Sequence, residues 1–405
     1  MVYVTAQLPS GANEPFIVPE IEELGRRGCD VTVVPVRPKG EVVHGDAREL
    51  LAGAVAVPLL SGAVVRSALA EVTRSPSGVA RALLSLRRSR NGRTLLKNLA
   101  VFPKALWLAQ LARRLGADHL HAHWAGTSGT LAMVAGEVSG TSWSFTAHRW
   151  DIAEDNLLGL KAQRACFGRA ISARGAEELR EIVADPAWSP WLLHMGVHLA
   201  PPTRAAQAEE PPLRVLTAAS LLEVKGHRYL IDAVRRLRER GIPVRAELAG
   251  EGPLASSLRR LAGELGLEQH VVFLGNVPHE KLLGEMSAGR WHAAVLPSVV
   301  TAGGAQEGIP VSLVEAMARG LPAVGTDSGA IPELLGDGAG LLVAPADSEA
   351  LAQALESLAQ DRDLRAGLAE RGRRRIEEAF SVERIAADLH SRFRECAGRE
   401  GSGGA

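Results

Sequence analysis

Two carboxylates, Glu307 and Glu315, bracket the stretch Glu307-Gly308-Ile309-Pro310-Val311-Ser312-Leu313-Val314-Glu315. Between them a Gly and a Pro can open a helix, with Pro310 suited to the first helical position because its missing N–H is not needed there. A helix N-terminus leaves backbone N–H groups unpaired and carries partial positive charge, so it holds phosphate without a dedicated cation. A carboxylate does not attract phosphate. The two glutamates therefore read as acceptors for sugar hydroxyls on either side of a diphosphate, with Gly308, Ile309, Val311 and Ser312 supplying the helix start. The implied ligand is a nucleotide sugar. The bland alternative is that Glu307 caps a helix and Glu315 lies on a solvated face.

Such a helix start needs a sheet behind it. Short apolar runs alternate with helical patterns along the chain, the signature of βαβ units and largely parallel sheets. In the first half the pattern predicts strands near Val2–Leu8, Val31–Pro35, His119–His123, Ser142–Thr146 and Ala170–Ala173, with helices over Phe16–Arg27, Gly129–Ser139 and Ala176–Val183. The rhythm restarts at Leu213–Ala218 and continues through Val244–Ala249, His270–Leu274, Ala293–Leu296 and Ala323–Thr326, each followed by a helix. Residues 199–212, rich in proline, suit neither helix nor strand and read as a hinge. Beyond Ala346 the chain is nearly all helical, and its Gly-Ser-Gly-Gly-Ala end is expected to be disordered.

The 405 residues suit two domains, and 46% hydrophobic content is enough to fill both cores. With 46 basic and 46 acidic residues in balance, no global field argues for a nucleic-acid partner. Three dispersed cysteines, Cys29, Cys166 and Cys396, suggest neither a disulfide framework nor a zinc site, which makes a reducing cytoplasm the default location. No basic leader and no uncharged apolar stretch of membrane-spanning length is present. Locally, residues 61–104 carry nine cations (Arg66, Arg74, Arg81, Arg87, Arg88, Arg90, Arg93, Lys97 and Lys104) against one acid, Glu71. That imbalance leaves open a peripheral contact at the inner membrane face or an anionic acceptor, with a solvated face docked on the domain as the plainer reading.

With these residues in place, the chain resembles the large retaining glycosyltransferase family 4, closest to its exopolysaccharide and colanic-acid-type branch. The resemblance is carried by Glu307–Ala318, by Leu8-Pro9-Ser10 through Gly28, by His121-Ala122-His123-Trp124, by Ser144–Ile152, and by Leu221–His227. It implies the α/β GT-B architecture: two facing Rossmann-like parallel-sheet domains with an interdomain cleft and C-terminal helices. Domain limits are expected at 1–203 for an acceptor-binding domain and 204–380 for the donor-binding domain, with 381–405 a helix packing back on the first domain. It further implies His148 beside the transferred sugar, Lys225 on the donor diphosphate, Glu307 on the donor sugar, Glu315 on the ribose, and the base near Asn276 and Val277. Gly250 and Ser220 join the donor side; Gly11, Asn13 and His123 line the acceptor side or cleft. The family usually has a cation where Ser220 stands, and Arg149 is the candidate substitute.

His119, His121 and His123 alternate and so share one strand face, which has the look of a metal site. No fourth ligand is evident, so no metal is assigned; His119 and His121 read as sheet packing. The absence of a GxGxxG after the first strand argues against a nicotinamide dehydrogenase. The expected reaction is a metal-independent, cofactor-free, retaining transfer of a hexose-type sugar, from a UDP-sugar in the first place, to a hydroxyl acceptor. That acceptor would be a lipid-linked glycan or a small natural product. The alternatives are a UDP-sugar 2-epimerase and a catalytically silent nucleotide-sugar-binding protein.

Overall fold

The computed structural model describes residues 1–8, 15–38, 53–200 and 211–399. The hinge reading at 199–212 lies largely outside the described residues, as do Gly11, Asn13 and the terminal tail. The chain divides into two compact units, one of residues 1–196 with 382–405 and one of residues 197–381.

The N-terminal unit is built on a six-stranded parallel sheet, ordered β2-β1-β3-β4-β5-β6. Its strands are β1 (Val2–Thr5), β2 (Thr32–Pro35), β3 (His119–Ala122), β4 (Ser142–Ala147), β5 (Gly168–Ala170) and β6 (Trp191–Leu192). Helix α1 (Val18–Arg26) follows a short 3-10 turn at Pro15–Ile17. Three helices follow β2, namely α2 (Gly62–Arg74), α3 (Pro76–Ser85) and α4 (Gly92–Leu115). Ser61 and Asn91 cap α2 and α4 by accepting from Val64 N and Thr94 N, and Gly116 ends α4 in the left-handed conformation. The remaining helices are α5 (Thr127–Ser139), α6 (Arg149–Glu154), α7 (Leu158–Arg164) and α8 (Ala173–Val183). The strand expected over Ala170–Ala173 ends at Ala170, because Ser172 caps α8 by accepting from Gly175 N.

The second unit repeats the plan with sheet order β12-β11-β10-β7-β8-β9. Strands β7 (Leu213–Ala218), β8 (Val244–Ala249), β9 (Val271–Gly275), β10 (Ala293–Leu296), β11 (Ala323–Thr326) and β12 (Leu341–Val343) alternate with helices. These are α9 (His227–Glu239), α10 (Ala255–Glu264), α11 (His279–Ser287), α12 (Val311–Ala318), α13 (Ile331–Leu335), α14 (Ser348–Gln360) and α15 (Arg362–Ala379). Apolar runs such as Ala293–Leu296 and Ala323–Thr326 are buried along their whole length, as strands covered by helices on both faces must be.

The last helix, α16 (Val382–Arg399), belongs to the first unit. Its Ile385, Leu389 and Phe393 are buried in a cluster with Ile17, Ile21 and Leu24 around α1. Cys396 on this helix is disulfide-bonded to Cys166, 230 residues earlier, with the two Cα atoms 6.0 Å apart. This corrects the expectation of unpaired cysteines. Spacing rules see only neighbours in sequence, whereas this pair is created by the return of α16 to the sheet.

Candidate functional site

In the second unit the chain runs β7, β8, β9 outward on one side and then β10, β11, β12 on the other, so β7 and β10 flank the topological switch point. Ligands of open parallel sheets bind in the crevice outside the strand C-termini at that point. Lys225 stands in the 3-10 turn after β7, and Glu307 in the loop after β10. The Lys225 Nζ donates to Glu307 Oε2 at 2.6 Å, with only 20% and 13% of the two side chains exposed. Ser298 Oγ also donates to Glu307 Oε2 at 3.2 Å. One cation and one carboxylate are thus held together at the mouth of the crevice.

Backbone contacts fix the two loops. Gly226 has φ +66°, and a Cβ there would lie 1.8 Å from Pro297 O, so the turn carrying Lys225 presses against the end of the β10 segment. Gly329, after β11, has φ +61°, and a Cβ would lie 1.9 Å from Glu307 O. Ala330 N donates to that same carbonyl at 3.2 Å. Gly308, Ile309 and Pro310 then lead into α12. Pro310 is the N-cap rather than the first helical residue, its ψ of 112° being extended, and its carbonyl accepts from Leu313 N and Val314 N. Val311 and Ser312 occupy the first helical positions, whose amides have no acceptor within a helix.

Glu315 lies a turn further on. Its Oε1 meets His279 Nε2 at 2.7 Å, and this hydrogen bond raises the His279 pKa above its ordinary value. Ser220, Gly250, Asn276 and Val277 follow the ends of β7, β8 and β9, on the same sheet edge. Gly250 N donates to Gly275 O at 2.8 Å, and Ala219 N to Ala249 O at 3.0 Å, which ties these strand ends together. Asn276 is exposed and Val277 half-buried.

The N-terminal unit has its own switch point between β1 and β3, and His148 follows β4 as the N-cap of α6. Asp151, three residues on, accepts from His148 N at 3.1 Å and from Gly126 N at 2.8 Å. Burial raises the Asp151 carboxyl to about 6, and burial lowers the adjacent Lys161 ammonium to about 7. Lys161 donates to the carbonyls of Ala125, Gly126 and Asn156. His148 is 7% exposed and stacks on Trp124 with ring centroids 4.2 Å apart.

Behind His148 runs a buried chain of hydrogen bonds. His148 Nε2 lies 3.1 Å from His123 Nε2, His123 Nδ1 lies 2.5 Å from Tyr3 Oη, and Tyr3 donates to Glu20 Oε1 at 2.5 Å. Arg169 closes the chain on Glu20 Oε2 at 2.7 Å, neither side chain being exposed. Because the Tyr3 hydroxyl proton goes to Glu20, its oxygen accepts from His123 Nδ1–H. The bare His123 Nε2 then accepts from His148 Nε2–H, and both tautomers are set. Burial, with Arg169 adding to it, lowers His148 to about 3, so the imidazole is neutral near pH 7. His123 is held well below its usual range by burial first and by His148 next.

Two expectations, those on His123 and Lys104, need correction here. His123 is fully buried beneath His148 and does not line an open cleft. The Arg149 guanidinium is paired with Glu178 on α8, at 2.7 and 2.8 Å to its two oxygens. Its charge is matched inside its own unit, as that of Lys225 is by Glu307, and a role for it toward the diphosphate stays a proposal. Lys104 is not part of the basic surface: it is fully buried, donates to the carbonyls of Pro35, Val36 and Val57, and is lowered to about 8 by burial. His119 and His121 are buried and bonded to Ser142, Ser144 and Thr146 across β3 and β4. Among the described residues no group of three His, Cys, Asp or Glu side chains is placed to hold a metal ion.

Sequence reasoning did not find Ser298, His279, Gly329, Tyr3, Glu20 or Arg169. Asp151 had a visible signal, the three-residue spacing of a capping box after His148. Gly329, just beyond a strand end, had a weaker one; the others are joined only by tertiary packing.

Comparison with known proteins fits this geometry. Residues 203–375 match the family model described as "Glycosyl transferases group 1". The chain is 38% identical over 190 residues to the putative colanic acid biosynthesis glycosyltransferase WcaL of Escherichia coli, covering 46% of each protein. It is 37% identical over 150 residues to the amylovoran biosynthesis glycosyltransferase AmsK of Erwinia amylovora, covering 37% of this chain and 36% of that protein. The match thus spans half or less of these relatives' length. The structure of HepE from Anabaena in complex with UDP superposes with a TM-score of 0.72 at 17% identity, over 97% of this chain and 99% of that one. A glycosyltransferase from Rickettsia africae gives 0.69 at 16% identity, over 98% of both. The chain therefore has the GT-B fold, and its residues 203–375 match the glycosyl transferases group 1 family model.

Proposed function

We propose that the protein transfers a hexose-type sugar, with retention, from a nucleoside diphosphate sugar to a hydroxyl acceptor in exopolysaccharide assembly, and that UDP is the nucleotide. The observation that carries this reading is the Lys225–Glu307 pair at the β7/β10 switch point, beside the N-terminus of α12. An ammonium and a helix start beside a sugar-binding carboxylate suit a diphosphate sugar. The colanic acid and amylovoran relatives support the exopolysaccharide setting, and the UDP complex of HepE supports the nucleotide.

In this mechanism the diphosphate lies against the first turn of α12, Lys225 neutralises the charge that grows on the leaving phosphate, and Glu307 holds hydroxyls of the transferred sugar. Glu315, fixed by His279, accepts from the ribose, and the base rests against Asn276 and Val277. The acceptor oxygen attacks from the face the diphosphate leaves, passing its proton to the departing phosphate oxygen, so positioning of the diphosphate is the main source of rate. His148, neutral and held by the chain behind it, serves the donor sugar. Because Lys225 supplies the positive charge, transfer proceeds in the presence of a metal chelator.

The test is calorimetric binding of UDP, GDP and dTDP, followed by turnover of the matching nucleotide sugar with lipid-linked and small hydroxyl acceptors. Binding of UDP with release of UDP and an α-configured product from an α-donor supports the reading. Conversion of the donor to an epimer without acceptor would replace it with the epimerase reading, and tight binding without turnover would replace it with the silent one.

A further inference from the structure

The helical insertion between β2 and β3 carries a surface that the sugar-binding reading does not use. Helix α2 packs on α3 and on α4, and α3 and α4 each pack on α5. Each buries one stripe: Val64, Ser67 and Glu71 on α2, Val79 and Ala82 on α3, Thr94, Asn98 and Val101 on α4. Each also presents a second apolar stripe to solvent. On α2 this is Val65, Leu69 and Val72, at the i, i+4, i+7 spacing of one helix face; on α4 it is Leu96 and Leu99. On α3 the pair Leu83 and Leu84 is exposed, and Leu60 stands free just before α2. Exposures of 64% for Leu69, 69% for Leu96 and 79% for Leu60 mean that nearly whole aliphatic side chains face water.

The exposed positions of the same segment are also basic. Arg66 and Arg74 on α2, Arg81 on α3, Arg87, Arg88 and Arg90 in the turn that follows, and Arg93 at the start of α4 are all exposed. None of the seven pairs with an acid among the described residues. The one carboxylate of the segment, Glu71, is buried and paired with Arg113, so it does not offset them. Unmatched guanidinium groups interleaved with exposed leucines complement one kind of partner, an interface that is anionic at its surface and apolar just beneath. A nucleic acid would match the arginines and leave the leucines against phosphates. Among the described residues no helix is long and apolar enough to cross a membrane.

We infer that the α2–α4 insertion docks the protein on an anionic lipid surface, its arginines on the headgroup phosphates and its leucines among the upper acyl chains. The inference stands apart from the proposed transfer reaction, since none of these residues belongs to either strand-end site.

Co-sedimentation with phosphatidylcholine vesicles, with and without phosphatidylglycerol, tests it. The protein pellets with the anionic vesicles, less so as salt rises, and not with the neutral ones. Replacing Arg81, Arg87 and Arg88 together by Gln lowers the partition coefficient about a hundredfold, each cation near the surface contributing about fivefold. Replacing Leu69 and Leu96 by Ser lowers it about tenfold or more, with the salt dependence unchanged. Both variants keep the parent melting temperature and UDP affinity, so a loss of lipid binding is not a loss of folding and is independent of the donor site. Equal pelleting with neutral vesicles, no pelleting with anionic ones, or binding to a duplex oligonucleotide that matches the vesicle binding would each overturn the inference.

Discussion

Lys225 and Glu307 make opposite predictions when altered one at a time. The Lys225 ammonium is engaged by Glu307 at 2.6 Å in a setting that is about four-fifths shielded from water. A diphosphate must take over that ammonium. Lys225→Met keeps the length of the side chain and removes the charge, and a charge-assisted hydrogen bond contributes about 1.5–3 kcal/mol. UDP should therefore bind about 10- to 150-fold more weakly. Glu307→Gln removes the competing charge instead, so UDP should bind at least as tightly as to the parent, while transfer of the sugar, whose hydroxyls Glu307 holds, falls steeply. Each change leaves the other member's charge unmatched in a mostly shielded place, so both variants should lose some stability, and melting temperatures measured beside the binding separate that loss from a loss of affinity. Titration calorimetry with UDP alone and initial rates with the UDP-sugar separate the two effects. If Glu307→Gln weakened UDP binding as much as Lys225→Met, the pair would be acting as a single structural unit and the assignment of Lys225 to the diphosphate would fall.

Other consequences follow from the same geometry. Tyr3→Phe leaves Glu20 Oε1 without its donor in a fully buried position, which should destabilise the N-terminal unit by about 1–3 kcal/mol. Since the proton positions on His123 and His148 depend on that hydroxyl, kcat should drop while donor KM stays near the parent value; an equal change in both would speak for a merely structural role. Gly329→Ala forces a Cβ onto Glu307 O and demands a strained positive φ, so transfer should fall about tenfold or more with UDP affinity less affected, measured by kcat/KM beside calorimetry. Acid should unfold the N-terminal unit early. His119 and His148, both lowered to about 3 by burial, stay neutral when folded but charge below about 6.5 when unfolded, so the unfolded state binds more protons. Stability then falls as pH drops from 6.5 towards 3, by up to about 1.4 kcal/mol per pH unit for each such histidine. Asp151, raised to about 6, works the other way over the lower part of that range, and denaturant midpoints between pH 4 and 7 measure the balance. A flat profile would refute the neutral buried histidines.

Much of the second unit was legible before folding was considered. Leu213–Ala218, Val244–Ala249, Ala293–Leu296 and Ala323–Thr326 coincide with the predicted strands to the residue, because short, mostly apolar runs between helical patterns mark strands that helices cover, even where Arg214, Arg245 and Glu247 interrupt two of them. The short edge strands Trp191–Leu192 and Leu341–Val343 escaped, being two and three residues long with little burial. The basic segment was visible as a charge count, but its division into buried and exposed members was not: Lys104 is sequestered by three carbonyls, while the arginines remain outside.

Local order along the chain was enough to establish the alternating elements, the helix start at Pro310 and the candidate carboxylates, because each depends on residues within a few positions of one another. Folding alone decided which distant groups meet. Lys225 finds Glu307 across 82 residues, Tyr3 finds His123 across 120, and Cys166 finds Cys396 across 230. Parallel sheets bring strand ends together irrespective of their order in the chain, so the partners of a charge or a proton at those ends are set by strand neighbours, a property that no stretch of sequence carries.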